Sequence, residues 1–229
     1  MSEVRAAAIV LGAGAGRRVG AEEPKAFLTI GGRPILSVAA AAAVASPAIS
    51  ALVVTAPAGY EDKAWGCVEG LGVPCAVVVG GATRQASVRA ALDAVPADTE
   101  VVTIHDAARP FAPPDLFTAT VAAVAAGADG AIPVVPVTDT VKRVRSGTVV
   151  DTLDRMELAL AQTPQAFRLG LLRAAHERAE RDGARVTDDA MLLERDGNVV
   201  AIPGDPMNVK ITTLLDLAIA EARMGGGDG

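Results

Sequence analysis

The chain has 229 residues, of which 47 are alanine and 29 valine against four Phe, one Trp and one Tyr, so any core must be built from small aliphatic side chains. A hydrophobic share of 51% and a charged share of 21% exclude a disordered polyelectrolyte, and the scarcity of aromatics argues against an all-β sandwich or a stacking platform for single strands. With 21 Lys and Arg against 27 Asp and Glu, the formal charge of −6 disfavours nucleic acid and acidic membrane surfaces as partners.

At this size about 70% of the surface can be buried, which suits a single domain over residues 1–229. Apolar runs of four to eight residues, each bounded by Gly, Pro or Asp, recur at Ala6–Leu11, Ala51–Thr55, Ala76–Val79, Val101–Ile104, Ala131–Val135 and Val199–Ile202. They read as strands buried on both faces. Helical spacing separates them at Pro34–Val44, Thr83–Val95 and Pro114–Ala126. This alternation predicts an α/β fold: a Rossmann-like, mostly parallel twisted sheet flanked by helices, with ligands at the carboxyl ends of the strands. Thr140–Leu153 departs from the alternation. Its valines alternate with polar residues about Ser146-Gly147, predicting an exposed β-hairpin within an arm of about residues 137–157. Such a hairpin is marginal alone, so a second subunit or the chain's own sheet should support it. His176, in the amphipathic stretch Leu171–Ala179, is expected to face solvent, and Gly225–Gly229 to form a disordered end. Cys67 and Cys75 fit neither a disulfide framework nor a zinc pattern and read as reduced thiols. No apolar run approaches a membrane span, and a cytoplasmic location is expected.

The residues just beyond the strands carry the chemistry. After the first comes LGAGAGRRVG at 11–20, followed by Pro24-Lys25. Glycines let backbone amides approach an anion, and Arg18 and Lys25 can add full charges, although a tight turn with solvated arginines would look similar. The dinucleotide fingerprint would need glycine at 17 or 19, where Arg17 and Val19 stand, and no Gly-Lys-Ser/Thr closes a P-loop. GGATRQASV at 80–88 places Arg84 and Ser87 where a helix begins, as a nucleoside contact or an ordinary cap. In HDAARPF at 105–111, Asp106 ends a buried strand and is placed to hold Mg²⁺ beside substrate phosphates. Arg109 can meet an anion bidentately, or simply pair with Asp106. His105 reads as a hydrogen-bonded core residue. No Ser-His-Asp or Cys-His set presents itself for covalent catalysis.

These blocks, together with PVTDTVKR at 136–143, Asp154-Arg155, AQTPQAF at 161–167, VTDDA at 186–190 and NVKIT at 208–212, follow the order and spacing of the 2-C-methyl-D-erythritol 4-phosphate cytidylyltransferases. The resemblance runs from about residue 5 to 222. It implies transfer of CMP from CTP to methylerythritol phosphate with release of pyrophosphate, in the non-mevalonate route to isoprenoids, by a Mg²⁺-dependent homodimer whose arms reach the partner's site. By the same resemblance, Gly12, Ala13, Gly14, Gly81, Ala82, Ser87 and Ala107 line the CTP. Arg18, Lys25, Arg155 and Lys210 are catalytic, while Asp106, Arg109, Thr140, Thr163 and Thr187 line the second substrate, with Asp106 also at the metal. Thr140 and Arg155 come from the neighbouring arm. Against the family pattern, Gly12 replaces a usual alanine and Ala82 a frequent acidic residue.

Three alternatives stand beside this reading. A ribitol 5-phosphate cytidylyltransferase would share the nucleotide motifs and differ mainly at the second substrate. A nicotinamide-dependent oxidoreductase would need the missing fingerprint and an acid after the second strand, where Thr55-Ala56-Pro57 stands. A nucleotide sensor without activity would have no use for both Arg18-Lys25 and Arg155-Lys210.

Overall fold

In a computed structural model, which describes residues 4–14 and 23–225, twelve strands and six α-helices alternate along the chain. β1 (Ala6–Leu11) is followed by the two-residue strands β2 (Thr29–Ile30) and β3 (Arg33–Pro34), then α1 (Ile35–Val44), β4 (Ile49–Ala56), α2 (Glu61–Val68), β5 (Cys75–Val79), α3 (Arg84–Leu92), β6 (Val101–Asp106), α4 (Pro114–Ala125) and β7 (Gly130–Pro136). The arm strands β8 (Lys142–Arg145) and β9 (Thr148–Thr152) precede β10 (Ala159–Ala161), β11 (Gln165–Arg168), α5 (Leu169–Asp182), β12 (Val199–Pro203) and α6 (Leu214–Gly225).

Local chemistry accounts for these elements. The alanine-rich α1 has high helix propensity and starts behind Pro34, whose φ of −54° is already close to helical. Thr83 caps α3, its hydroxyl oxygen accepting from Ala86 N–H at 3.0 Å. Pro114 occupies the first turn of α4, where its missing N–H costs nothing. α5 stops at Gly183, whose φ of +63° is left-handed.

The central sheet is eight-stranded, in the order β10-β7-β11-β6-β1-β4-β5, with β12 paired to β7. All six strands expected from the sequence are in it. β4, β1, β6 and β5 pair parallel, as do β12 and β7, while β11 runs antiparallel to both β6 and β7. β7 therefore points the same way as β6, and only β10 and β11 run against the other strands. The pleat of β1 divides the core. Ala6, Ala8 and Val10 pack with α1, α2 and α4, whereas Ala7 and Ile9 pack with α3 and α5. Alanine, valine, isoleucine and leucine share the strand faces, and the largest fully buried side chains are three Phe with Ile and Leu.

The hairpin forms as expected. Ser146 and Gly147 take positive φ of 47° and 81°, the twist a tight hairpin turn requires, and every residue of β8 and β9 is exposed. Two expectations change. His176 is buried, because the stripe Leu169, Leu172, Ala175, His176 and Ala179 turns inward and Asp189 supplies a hydrogen-bond partner. Gly225 ends α6, while the rest of the expected disordered tail lies outside the described residues. No helix among the described residues is long and apolar enough to cross a membrane.

Candidate active site

The carboxyl ends of β1, β4 and β6 open into a cavity of about 570 Å³, a size suited to a nucleotide. Its floor is backbone and small side chains: Gly12 to Gly14 after β1, Gly81 and Ala82 after β5, and Ala107 after β6. Gly12 N–H donates to Thr55 O at 2.9 Å, so a Cβ there would stand 2.7 Å from that oxygen. This close approach explains the glycine. Ser87 also lines the cavity, its hydroxyl donating to Thr83 O at 3.0 Å, as serines near helix starts commonly do.

Among the described residues, Lys25, Arg84 and Lys210 line the cavity against a single carboxylate, Asp106. Arg84 is also paired with the buried Asp189, yet the described cations still outnumber the carboxylates they meet. Lys210 Nζ donates to Asp106 Oδ2 at 2.6 Å, and Arg84 Nε to Oδ1 at 3.3 Å. Burial alone would raise the carboxyl's pKa, but the charges of Arg84 and Lys210 outweigh it and hold Asp106 well below the usual carboxylate range. The Asp106-Arg109 pair weighed from the sequence is replaced by these two partners.

The segment around NVKIT delivers Lys210. Asn208 is fully buried and its Nδ2 donates to Thr163 O at 2.9 Å, while Ile211 N–H donates to Ala108 O at 2.8 Å. Between these two anchors Lys210 lines the cavity at the strand ends. Lys25 Nζ donates to Ile211 O at 2.8 Å, tying the short turn before β2 to the same segment.

Of the residues singled out from the sequence, Gly12, Ala13, Gly14, Lys25, Gly81, Ala82, Ser87, Asp106, Ala107 and Lys210 share this one cavity. Arg109 lies behind it, with Nη1 donating to Asn208 O at 2.7 Å and Nη2 to Ala161 O at 3.2 Å. Thr163 is buried beside Asp106, accepting from the Asp106 N–H at 3.0 Å. His105 completes that arrangement: its Nε2 faces Arg109 O at 3.1 Å and must donate there, so Nδ1, at 3.0 Å, accepts from the Thr163 hydroxyl. Burial pushes the imidazole's pKa down to about 4, which leaves it neutral and structural. Thr187 is exposed, its hydroxyl donating to Met191 Sδ at 3.1 Å. Thr140 and Arg155 sit in the exposed arm, away from the lining of the cavity, where Arg155 donates to Thr138 O. Arg18 lies outside the described residues.

Two features escaped sequence reasoning. Arg84 was visible as a helix-start residue, but its pairing with Asp106 is not. Asp189, fully buried against Arg84 and His176, gave no signal beyond its place in VTDDA.

Comparison with known proteins agrees with this architecture. The model of the family IspD: 2-C-methyl-D-erythritol 4-phosphate cytidylyltransferase matches residues 6–226. A 2-C-methyl-D-erythritol 4-phosphate cytidylyltransferase of Deinococcus radiodurans is 44% identical, covering 100% of this chain and 93% of its own. A bifunctional IspD/IspF enzyme of Rhodopseudomonas palustris is 46% identical over 96% of this chain, which spans only 55% of that relative. The crystal structure of a 4-diphosphocytidyl-2C-methyl-D-erythritol synthase from Anaerococcus prevotii superposes with a TM-score of 0.86 at 30% identity, covering 98% of this chain and 100% of that one. The sheet order, the glycine-floored cavity and these matches together mean that the chain belongs to the 2-C-methyl-D-erythritol 4-phosphate cytidylyltransferase family, with its α/β nucleotidyltransferase fold.

Proposed function

We propose that this protein transfers CMP from CTP to 2-C-methyl-D-erythritol 4-phosphate, releasing pyrophosphate. The observation that carries the reading is the convergence of Lys25, Arg84 and Lys210 on one small-residue cavity beside Asp106, in a chain matched from 6 to 226 by that family.

The reaction brings an anionic phosphate against a triphosphate, so charge repulsion and alignment dominate the barrier. Cations fixed in advance around the α-phosphorus lower it without reorganising at the moment of reaction. Lys25 and Lys210 suit this role, and the family resemblance assigns Arg18 to it as well. Phosphate oxygen is already ionised and needs no general base, which fits a site whose nearest histidine is buried and neutral. The glycine and alanine backbone at 12–14 and 81–82, with Ser87 and Ala107, forms the nucleotide's bed. Arg109, Thr163 and Thr187 are assigned to the second substrate.

Magnesium suits the donor set. Among the described residues no three His, Cys, Asp or Glu cluster as a metal cage would require. A single hard carboxylate such as Asp106 is nonetheless enough for an ion held mainly by substrate phosphates and water. When bound there, Mg²⁺ would neutralise phosphate charge.

We further read the whole chain as one domain acting as a homodimer in the cytoplasm. In the arm, Val144, Val149, Val150 and Met156 are half or more exposed, apolar surface that a second copy would cover, bringing Thr140 and Arg155 to the partner's cavity. The test of the reaction is pyrophosphate release with CTP, Mg²⁺ and methylerythritol phosphate, each omitted in turn. Release that persists without the polyol phosphate, or that prefers ribitol 5-phosphate, would overturn the assignment.

A further inference from the structure

A buried chain of hydrogen-bonded polar side chains runs from α5 into the cavity. His176 and Asp189 are only 2% and 0% exposed, among the apolar side chains of the second core. Asp189 Oδ1 accepts from His176 Nε2 at 3.1 Å, and Oδ2 accepts from Arg84 Nη1 at 2.6 Å. Arg84 Nε continues to Asp106 Oδ1 at 3.3 Å, and Asp106 Oδ2 meets Lys210 at 2.6 Å.

Stability is a poor explanation for this chain. A buried ion pair is often no more stable than well-packed apolar residues of the same volume, because desolvating the charges offsets their attraction. What the pair does supply is direction. Arginine has a long side chain, and a guanidinium facing a lone carboxylate tends to lie along it bidentately. Here the shorter bond goes to Asp189, so the guanidinium is held from behind and offers Asp106 only its Nε edge. Asp106 Oδ1 thus keeps coordination capacity towards the cavity. His176 in turn fixes the Asp189 carboxylate, since its Nε2–H must donate to an oxygen that can only accept.

We propose that Asp189, oriented by His176, is a positioning residue for cytidylyl transfer, holding Arg84 so that it steadies Asp106 without covering it. The proposal rests on the reaction assigned above, and its test separates the two. Steady-state kinetics with CTP and methylerythritol phosphate are measured for the wild type, Asp189→Asn, Arg84→Ala and the double variant, with circular dichroism and thermal melts on each. Asp189→Asn keeps the shape and removes the charge. It should fold and lose at least about tenfold in kcat, with KM for CTP changing less than about threefold, because the interaction is realised in the transition state. In the Arg84→Ala background the same substitution should cost less than about twofold, since residues acting through one another are not additive. A second pair asks the question independently of Asp189: His176→Gln, which preserves a donor near Nε2, should stay within about threefold of wild-type kcat, and His176→Leu should not. Wild-type kcat in Asp189→Asn, losses that multiply in the double variant, or equal rates for the two His176 variants would overturn the positioning role. Absence of pyrophosphate release by the wild type would instead sink the assigned reaction.

Discussion

Lys210 Nζ stands 2.6 Å from Asp106 Oδ2, a bond that joins the end of β6 to a segment 104 residues further along the chain. This ammonium neutralises a buried carboxylate and also lines the cavity, so it has two tasks. Lys210→Met should keep the fold, because Arg84 still pairs Asp106, yet lower turnover by at least about a hundredfold through loss of a preorganised charge. Turnover within tenfold of wild type, in protein with an unchanged far-ultraviolet spectrum, would remove Lys210 from the chemistry.

Close packing of backbone around the proposed nucleotide bed gives a second expectation. A Cβ on Gly80 would lie 2.1 Å from the Ala13 Cβ and 2.9 Å from Ser87 Oγ. Neither neighbour is the end of a flexible chain, so Gly80→Ala must push the two walls of the cavity apart. We expect Kd for CTP to rise by about tenfold or more, a loss of roughly 1.4 kcal/mol. Isothermal titration with CTP decides it, and unchanged affinity would show that the walls are pliable.

Much of the scaffold could be read from short apolar runs because parallel strands buried on both faces leave that mark. β10 and β11 could not: ALA and QAFR are too short and mixed to signal a strand, and their pairing is set by β6 and β7. The cavity floor was legible for a related reason, since small residues directly after buried parallel strands fall at the sheet's carboxyl edge, where such sheets bind ligands. Arg84 and Asp189 lie 105 residues apart, and no local pattern marks a pair joined only by the fold. His176, expected to face solvent, lies four residues after Leu172 and three before Ala179, on the buried stripe.

Burial of His105 has a consequence for stability. Its pKa is held down to about 4 against an ordinary 6.5, with desolvation the largest cause. Below pH 6.5 the unfolded chain takes up a proton that the native state refuses. The contribution of the neutral ring is therefore complete above about pH 6.5 and falls as the pH drops towards 4, by up to about 3 kcal/mol. Urea unfolding of wild type and His105→Gln at pH 7.5 and 4.5 should show the gap between them narrowing at the lower pH. Parallel losses in both proteins would assign the acid sensitivity elsewhere.

The arm offers a test of subunit sharing. Val144 is 53% exposed, Val149 58% and Met156 85%, values that make little sense for a hairpin standing alone in water. If arms reach into the partner's cavity, an Arg155→Ala protomer lacks the group its partner needs but keeps an intact cavity of its own. A Lys25→Ala protomer has the opposite defect. Mixed in equal amounts and allowed to exchange, the two inactive proteins should pair so that one site per mixed dimer contains both residues, recovering about a quarter of wild-type turnover in a two-fold assembly. An arm that served only its own subunit would leave every site defective in one residue or the other. The mixture would then stay as inactive as its components, and the arm's assignment to the neighbouring cavity would fail.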